Sequence, residues 1–165
     1  MLLLPWDNEL QEIPETSMEL CLDSDQQLTQ EFQSLSLHAM DSTVISGTLR
    51  FTGYINGHAI QVLLDGGSDD NFLQPRVAKF LQLAILPIPT FKVLVGNGNA
   101  LQVEGLVNNL QVTIQGTVLS MDAYLLPIMG ADLILGTSWL ATLGPHIADY
   151  HILYIQFVVD NQWIT

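Results

Sequence analysis

The residues that most constrain the fold are Asn56-Gly57, set between TLRFTGYI (48–55) and HAIQVLLD (58–65). Asn-Gly between two β-type runs favours a two-residue turn with positive φ at both positions, which joins antiparallel strands. The same texture continues to residue 165. FKVLV (91–95) leads into Gly96-Asn97-Gly98-Asn99 and returns as ALQVEGLV (100–107), a second hairpin with a glycine-rich tip. NLQVTIQ (109–115) turns at Gly116-Thr117 into VLSMDAYLLPI (118–128), a third pair, and ADLILG (131–136) is a short apolar strand. HILYIQFVVDNQWIT (151–165) reads as another strand pair or one long strand. QPRVAKFL (74–81), with Pro75 suited to a first helical turn, reads as a helix, as does TSWLATLG (137–144), stopped by Gly144-Pro145. Many short strands with two short helices predict an all-β, closed barrel-like domain.

Charge divides the chain. Residues 1–41 hold nine acids and no Lys or Arg, whereas residues 42–165 hold eight acids and all four basic residues, within a total net charge of −13. Residues 1–40 are therefore expected to be an acidic, largely disordered linker, and residues 41–165 the folded domain. QQLTQEFQSLSL (26–37) has room for a helical turn or two but keeps no apolar face. With four basic residues in all, direct nucleic-acid binding is not expected. A hydrophobic content of 48% over 165 residues is enough for one sizeable core.

The longest apolar runs, such as residues 124–129, are too short to span a bilayer. The opening MLLLP lacks a basic region and meets acid at Asp7, so no secretory signal is expected. Cys21 is the only cysteine, which excludes a disulfide framework and fits an intracellular, cytoplasmic setting. His38, His58, His146 and His151 show no metal-ligand spacing, and neither a metal nor another cofactor is implied.

One stretch looks built for chemistry: VLLDGGSDDNF (62–72), where an apolar strand runs into Asp65, two glycines and a serine. Taken alone, a strand ending in Asp-Gly is an ordinary turn signal. Two features raise its significance. ADLILG places an apolar strand and a glycine just ahead of a short helix, and between the two motifs stands the glycine-tipped hairpin at 95–100, of a kind able to close over a substrate. The GNGN tip is no phosphate loop, because a strand follows it and no Lys is present.

The ordered set VLLDGGS (62–68), Asn71-Phe72 and ILGTSWLATLGPHIADY (134–150) resembles the retropepsin-like aspartic proteases, particularly those of plant Gypsy-type retrotransposon polyproteins. The resemblance covers residues 36–160. It implies half of a pepsin-like enzyme, with Asp65 as the single catalytic aspartate of each chain and a homodimer supplying two. Two carboxylates held close share one proton, so that one acts as general base on water and the other as general acid.

By the same resemblance, Gly66, Gly67 and Ser68 form the active-site loop, and Ser68 supports the outer carboxylate oxygen. Val95, Gly96, Asn97 and Gly98 form a flap over a peptide or polyprotein substrate. Ile134, Leu135 and Gly136 pack beneath the loop, where a side chain on the glycine would collide. The family usually reads Asp-Ser-Gly or Asp-Thr-Gly; Gly66 stands at the hydroxyl position, which implies a looser dimer or lower activity. The alternative is a catalytically weak or inactive dimerisation or binding module of the same fold. Asp69 and Asp70 are expected to face solvent or cap the turn, and Trp139 and Trp163 to pack in the core or an interface.

Overall fold

The computed structural model describes residues 33–35 and 48–165. Its strands, in chain order, are β1 (Gln33–Leu35), β2 (Thr48–Ile55), β3 (His58–Asp65), β4 (Phe72–Leu73), β5 (Lys92–Val95), β6 (Ala100–Gln102), β7 (Gly105–Ile114), β8 (Thr117–Leu125), β9 (Leu133–Leu135), β10 (Ile147–Asp149), β11 (Tyr154–Val159) and β12 (Gln162–Ile164). Helix α1 (Pro75–Phe80) follows β4, and α2 (Thr137–Leu140) follows β9 and runs into a 3-10 turn, Ala141–Leu143.

The Asn-Gly hairpin forms in full. β2 and β3 pair antiparallel from Ile55↔His58 to Thr48↔Asp65. Asn56 and Gly57 take φ of 49° and 79°, the two positive values that the turn requires. The hairpin is part of a closed barrel in the order β2-β3-β9-β4-β8-β7, which agrees with the all-β, barrel-like expectation. Closure leaves few sheet edges to protect. Helix α1 begins at Pro75, whose fixed φ and missing N–H suit a first turn.

The chain departs from the expected hairpins at one point. ALQVEGLV does not continue as one return strand. The N–H of Val103 still bonds to Phe91 of the β5 side, but that of Glu104 bonds to Leu125 of β8. The chain thus crosses from the β5–β6 hairpin to the barrel at Val103-Glu104, and Gly105 already belongs to β7. A bulge between Val107 and Leu110, with Asn109 at φ 53°, accommodates one extra residue opposite β8.

Apolar burial explains the continuous runs in β3 and β9. Ile60, Val62 and Leu64 of β3, with Leu133 and Leu135 of β9, fill the barrel interior. Leu63 and Ile134 point the other way, into a second cluster with Val93, Val95, Phe72 and Ile128. Strands buried on both faces read as unbroken hydrophobic sequence. The second cluster is what fastens the β5–β6 hairpin to the barrel wall.

The closing segment is a meander, β10-β11-β12, which resolves the choice between a strand pair and one long strand in favour of the pair, preceded by a short strand. Trp139 is 4% exposed and meets Phe157 of β11 edge to face, with ring centroids 5.6 Å apart, while Trp163 on β12 is exposed. β1 pairs parallel with β5 and lies within the stretch expected to be linker; the rest of that expected linker lies outside the described residues.

Candidate active site

Asp65 is the last residue of β3, and the barrel delivers it to the site. Its neighbour Leu64 pairs with Leu135 of β9 and both side chains are buried, so the strand end is fixed on two sides. Beyond Asp65 the chain turns at once: the N–H of Ser68 bonds to the Asp65 carbonyl at 3.1 Å. The same turn brings two donors to the carboxylate. The Gly67 N–H reaches Oδ1 at 2.9 Å and the Ser68 hydroxyl reaches Oδ2 at 3.2 Å. Asp65 is 2% exposed and Ser68 is fully buried. A carboxyl group held at both oxygens by donors two and three residues away has a defined orientation.

The second motif supports this loop from below. A Cβ placed on Gly136 would stand 2.4 Å from the carbonyl oxygen of Asp70 and 2.6 Å from that of Ser68, so only glycine allows this approach. The start of α2 then binds the loop backbone directly. The N–H groups of Thr137 and Ser138 donate to the carbonyls of Ser68 and Asp69 at 2.8 and 3.0 Å. The Thr137 hydroxyl reaches the carbonyls of Ser68 and Gly66 at 3.1 and 3.3 Å. Buried Asn71 completes the connection: its Oδ1 accepts from the Gly136 N–H at 3.1 Å, and its Nδ2 donates to the Asp122 carbonyl of β8 at 3.0 Å. β9 and β8 therefore hold the two flanks of one short loop.

The structure brings together Asp65, Gly66, Gly67, Ser68, Ile134, Leu135 and Gly136. Gly66 is exposed, and a Cβ on it would meet only Leu140 Cδ1 at 3.9 Å, an ordinary contact. The position has room for the hydroxyl residue that it lacks. Asp69 is exposed and Asp70 half-buried. The residues expected to form a flap divide into two kinds. Val95 is 2% exposed and belongs to the second apolar cluster, whereas Gly96, Asn97 and Gly98 form the exposed hairpin tip. The Gly98 N–H closes the tip onto the Val95 carbonyl at 2.8 Å, and Gly98 has φ of 85°. Val95 anchors the tip instead of presenting a side chain from it.

Nothing local in the sequence marks Thr137 or the Asn71 side chain for a role at this loop. Both act on backbone groups of a segment some 65 residues distant in the chain, and no local pattern encodes such a partner. Their residue types were the available signal: a short polar side chain just after each of the two glycine-bearing stretches, 62–70 and 131–136, is suited to bonding nearby backbone.

A sequence profile of the family described as "gag-polyprotein putative aspartyl protease" matches residues 51–142, which include both the Asp65 loop and the Gly136 segment. No curated protein sequence matches the chain. Among solved structures, the retroviral protease-like domain of Ddi1 from Leishmania major superposes with a TM-score of 0.52 at 18% identity, covering 72% of this chain and 89% of that one. The EIAV protease complexed with the inhibitor HBY-793 gives 0.47 at 19% identity, covering 61% and 91%. A retropepsin-like aspartic protease from Rickettsia conorii gives 0.45 at 18% identity, covering 62% and 77%. The first of these shows the fold of the chain.

Proposed function

The chain belongs to the gag-polyprotein aspartyl protease family, and from that membership we propose that it is an aspartic endopeptidase of a retroelement polyprotein of the plant Gypsy type, active as a homodimer. Each copy contributes one Asp65. The two carboxylates share a proton across the dimer. The ionised one takes a proton from water as its oxygen attacks the peptide carbonyl carbon, and the protonated one gives its proton to the carbonyl oxygen. The carboxyl that took the proton from water then gives it to the amide nitrogen, while the ionised one takes a proton from a hydroxyl of the tetrahedral intermediate. The C–N bond breaks to leave a carboxylic acid and an amine, with one proton again shared between the carboxyls. Extended substrate lies across the cleft beneath the tip formed by Gly96, Asn97 and Gly98, held mainly through its backbone.

The observation that carries this reading is the Asp65 carboxylate itself, held at a buried strand end by Gly67 N–H and the Ser68 hydroxyl. One specific feature favours a second reading: Gly66 stands where the family places a hydroxyl that ties the two loops together. On that reading the chain is a weak or inactive dimerisation or binding module. A peptide-cleavage assay between about pH 4 and pH 7, with Asp65→Asn as the control, separates the two. The endopeptidase reading predicts cleavage that the substitution abolishes. Equal silence of both proteins, with sedimentation showing both to be dimers, would replace it with the binding module.

A further inference from the structure

Far from Asp65, the opposite end of β3 borders a groove of about 510 Å³ between that strand and α1. Ala59 lies six residues before Asp65, which along an extended strand is about 20 Å. Three properties of this groove converge.

The first is a strand edge that is open among the described residues. The Gln61 N–H donates to Oδ2 of Asp132 at 2.9 Å, and the Gln61 carbonyl accepts from the Asp132 N–H at 2.9 Å. Gln61 therefore directs its backbone groups away from β2. Alternate residues of an antiparallel strand do so in turn, so Ala59, two residues earlier, directs its N–H and C=O to the same side. β9 pairs with β3 only over Val62, Leu63 and Leu64, and so ends short of Ala59. Ala59 is exposed and lines the groove.

The second is an apolar anchor. Phe80, on α1, is 75% exposed, the most exposed large apolar side chain among the described residues. Its ring stands over the edge of the groove against His58, with centroids 5.7 Å apart and the rings nearly perpendicular. Leu81 continues this apolar wall.

The third is charge. In a chain with four basic residues and a net charge of −13, two lie on α1: Arg76, which lines the groove one turn before Phe80, and Lys79, three residues after Arg76 and neighbouring it on the helix surface. Arg76 pairs with Asp132 at 3.1 Å but keeps 75% of its side chain exposed, so further guanidinium N–H groups remain available to a carboxylate. Asp132 is already engaged by Arg76 and by the Gln61 N–H.

We infer that this groove is a docking site for an acidic peptide in extended conformation, distinct from the cleft at Asp65. One peptide residue pairs with Ala59 through two backbone hydrogen bonds, an apolar side chain rests on Phe80 and Leu81, and acidic side chains meet Arg76 and Lys79. This is strand addition with charge selection. It does not depend on the protease reading.

The test uses the Asp65→Asn chain, so that no probe is cut, and a fluorescent peptide of about eight alternating Glu and Val residues. A Lys-and-Val peptide is the comparison. Fluorescence anisotropy is expected to show saturable binding of the acidic peptide at least about tenfold tighter than that of the lysine peptide. Arg76→Glu with Lys79→Glu should remove the preference. Ala59→Pro, which deletes the N–H facing the groove and leaves the β2 ladder intact, should weaken binding by a comparable factor. Amide chemical shifts of the chain without groove substitutions should move at Ala59, Phe80 and Leu81, a readout that does not depend on how the variants fold. No saturable binding, equal affinity for the lysine peptide, or shifts confined to the Asp65 loop would each overturn the proposal.

Discussion

At position 66 a glycine follows the candidate catalytic aspartate, with open space where a side chain would lie. The nearest atom to an added Cβ is Leu140 Cδ1 at 3.9 Å, and the backbone at Gly66 lies outside the left-handed region that favours glycine. Gly66→Ser should therefore fold without strain. If a hydroxyl at this position bridges the two loops of a dimer, each regained hydrogen bond contributes about 0.5–1.5 kcal/mol. Two such bonds should lower the dimer dissociation constant by about tenfold, measured by sedimentation equilibrium. A variant that associates no more tightly would remove the missing hydroxyl as the source of a weak dimer. Asp65, Gly67 and Ser68 were legible in sequence through the resemblance their contiguous motif carries, and the bonds among them span only two or three residues. Asn71 and Thr137 were not, because their partners are backbone groups brought close only by the fold.

The junction of β9 and α2 is the element that holds the loop. Gly136 packs with its Cα face against the carbonyls of Ser68 and Asp70, and the N–H groups that follow it bond to the same loop. Gly136→Ala should force that packing apart and destabilise the fold by about 1–3 kcal/mol, seen as a lower urea midpoint with an unchanged slope. A midpoint equal to that of the unaltered chain would contradict the close approach. The strands themselves were readable where a turn residue marks them, as at Asn56-Gly57. The crossing at Val103-Glu104 was not, because the apolar alternation runs through it. Only hydrogen bonds to Phe91 and Leu125, distant in sequence, decide which sheet each residue joins. β11 and β12 were ambiguous for a related reason. Asp160-Asn161 turns with φ of 48° and 63° and no glycine, a weaker signal than Asn-Gly.

For the whole molecule, the barrel was legible because its apolar strands, buried on both faces, show as unbroken runs. The aspartyl protease family, though not its plant Gypsy type, was legible only through the resemblance that the two ordered motifs carry. A single chain nevertheless supplies one Asp65, and the proposed chemistry needs two carboxylates. The central claim is therefore that the site is built from two copies. It is tested most directly by mixing active chain with Asp65→Asn chain, letting subunits exchange, and measuring peptide cleavage per active chain. With equal amounts and random pairing, only about half of the active chains find an active partner, so activity per active chain should fall to about one half and decline further as Asp65→Asn is added in excess. Activity per active chain that stays constant across the mixing series would contradict the two-copy site.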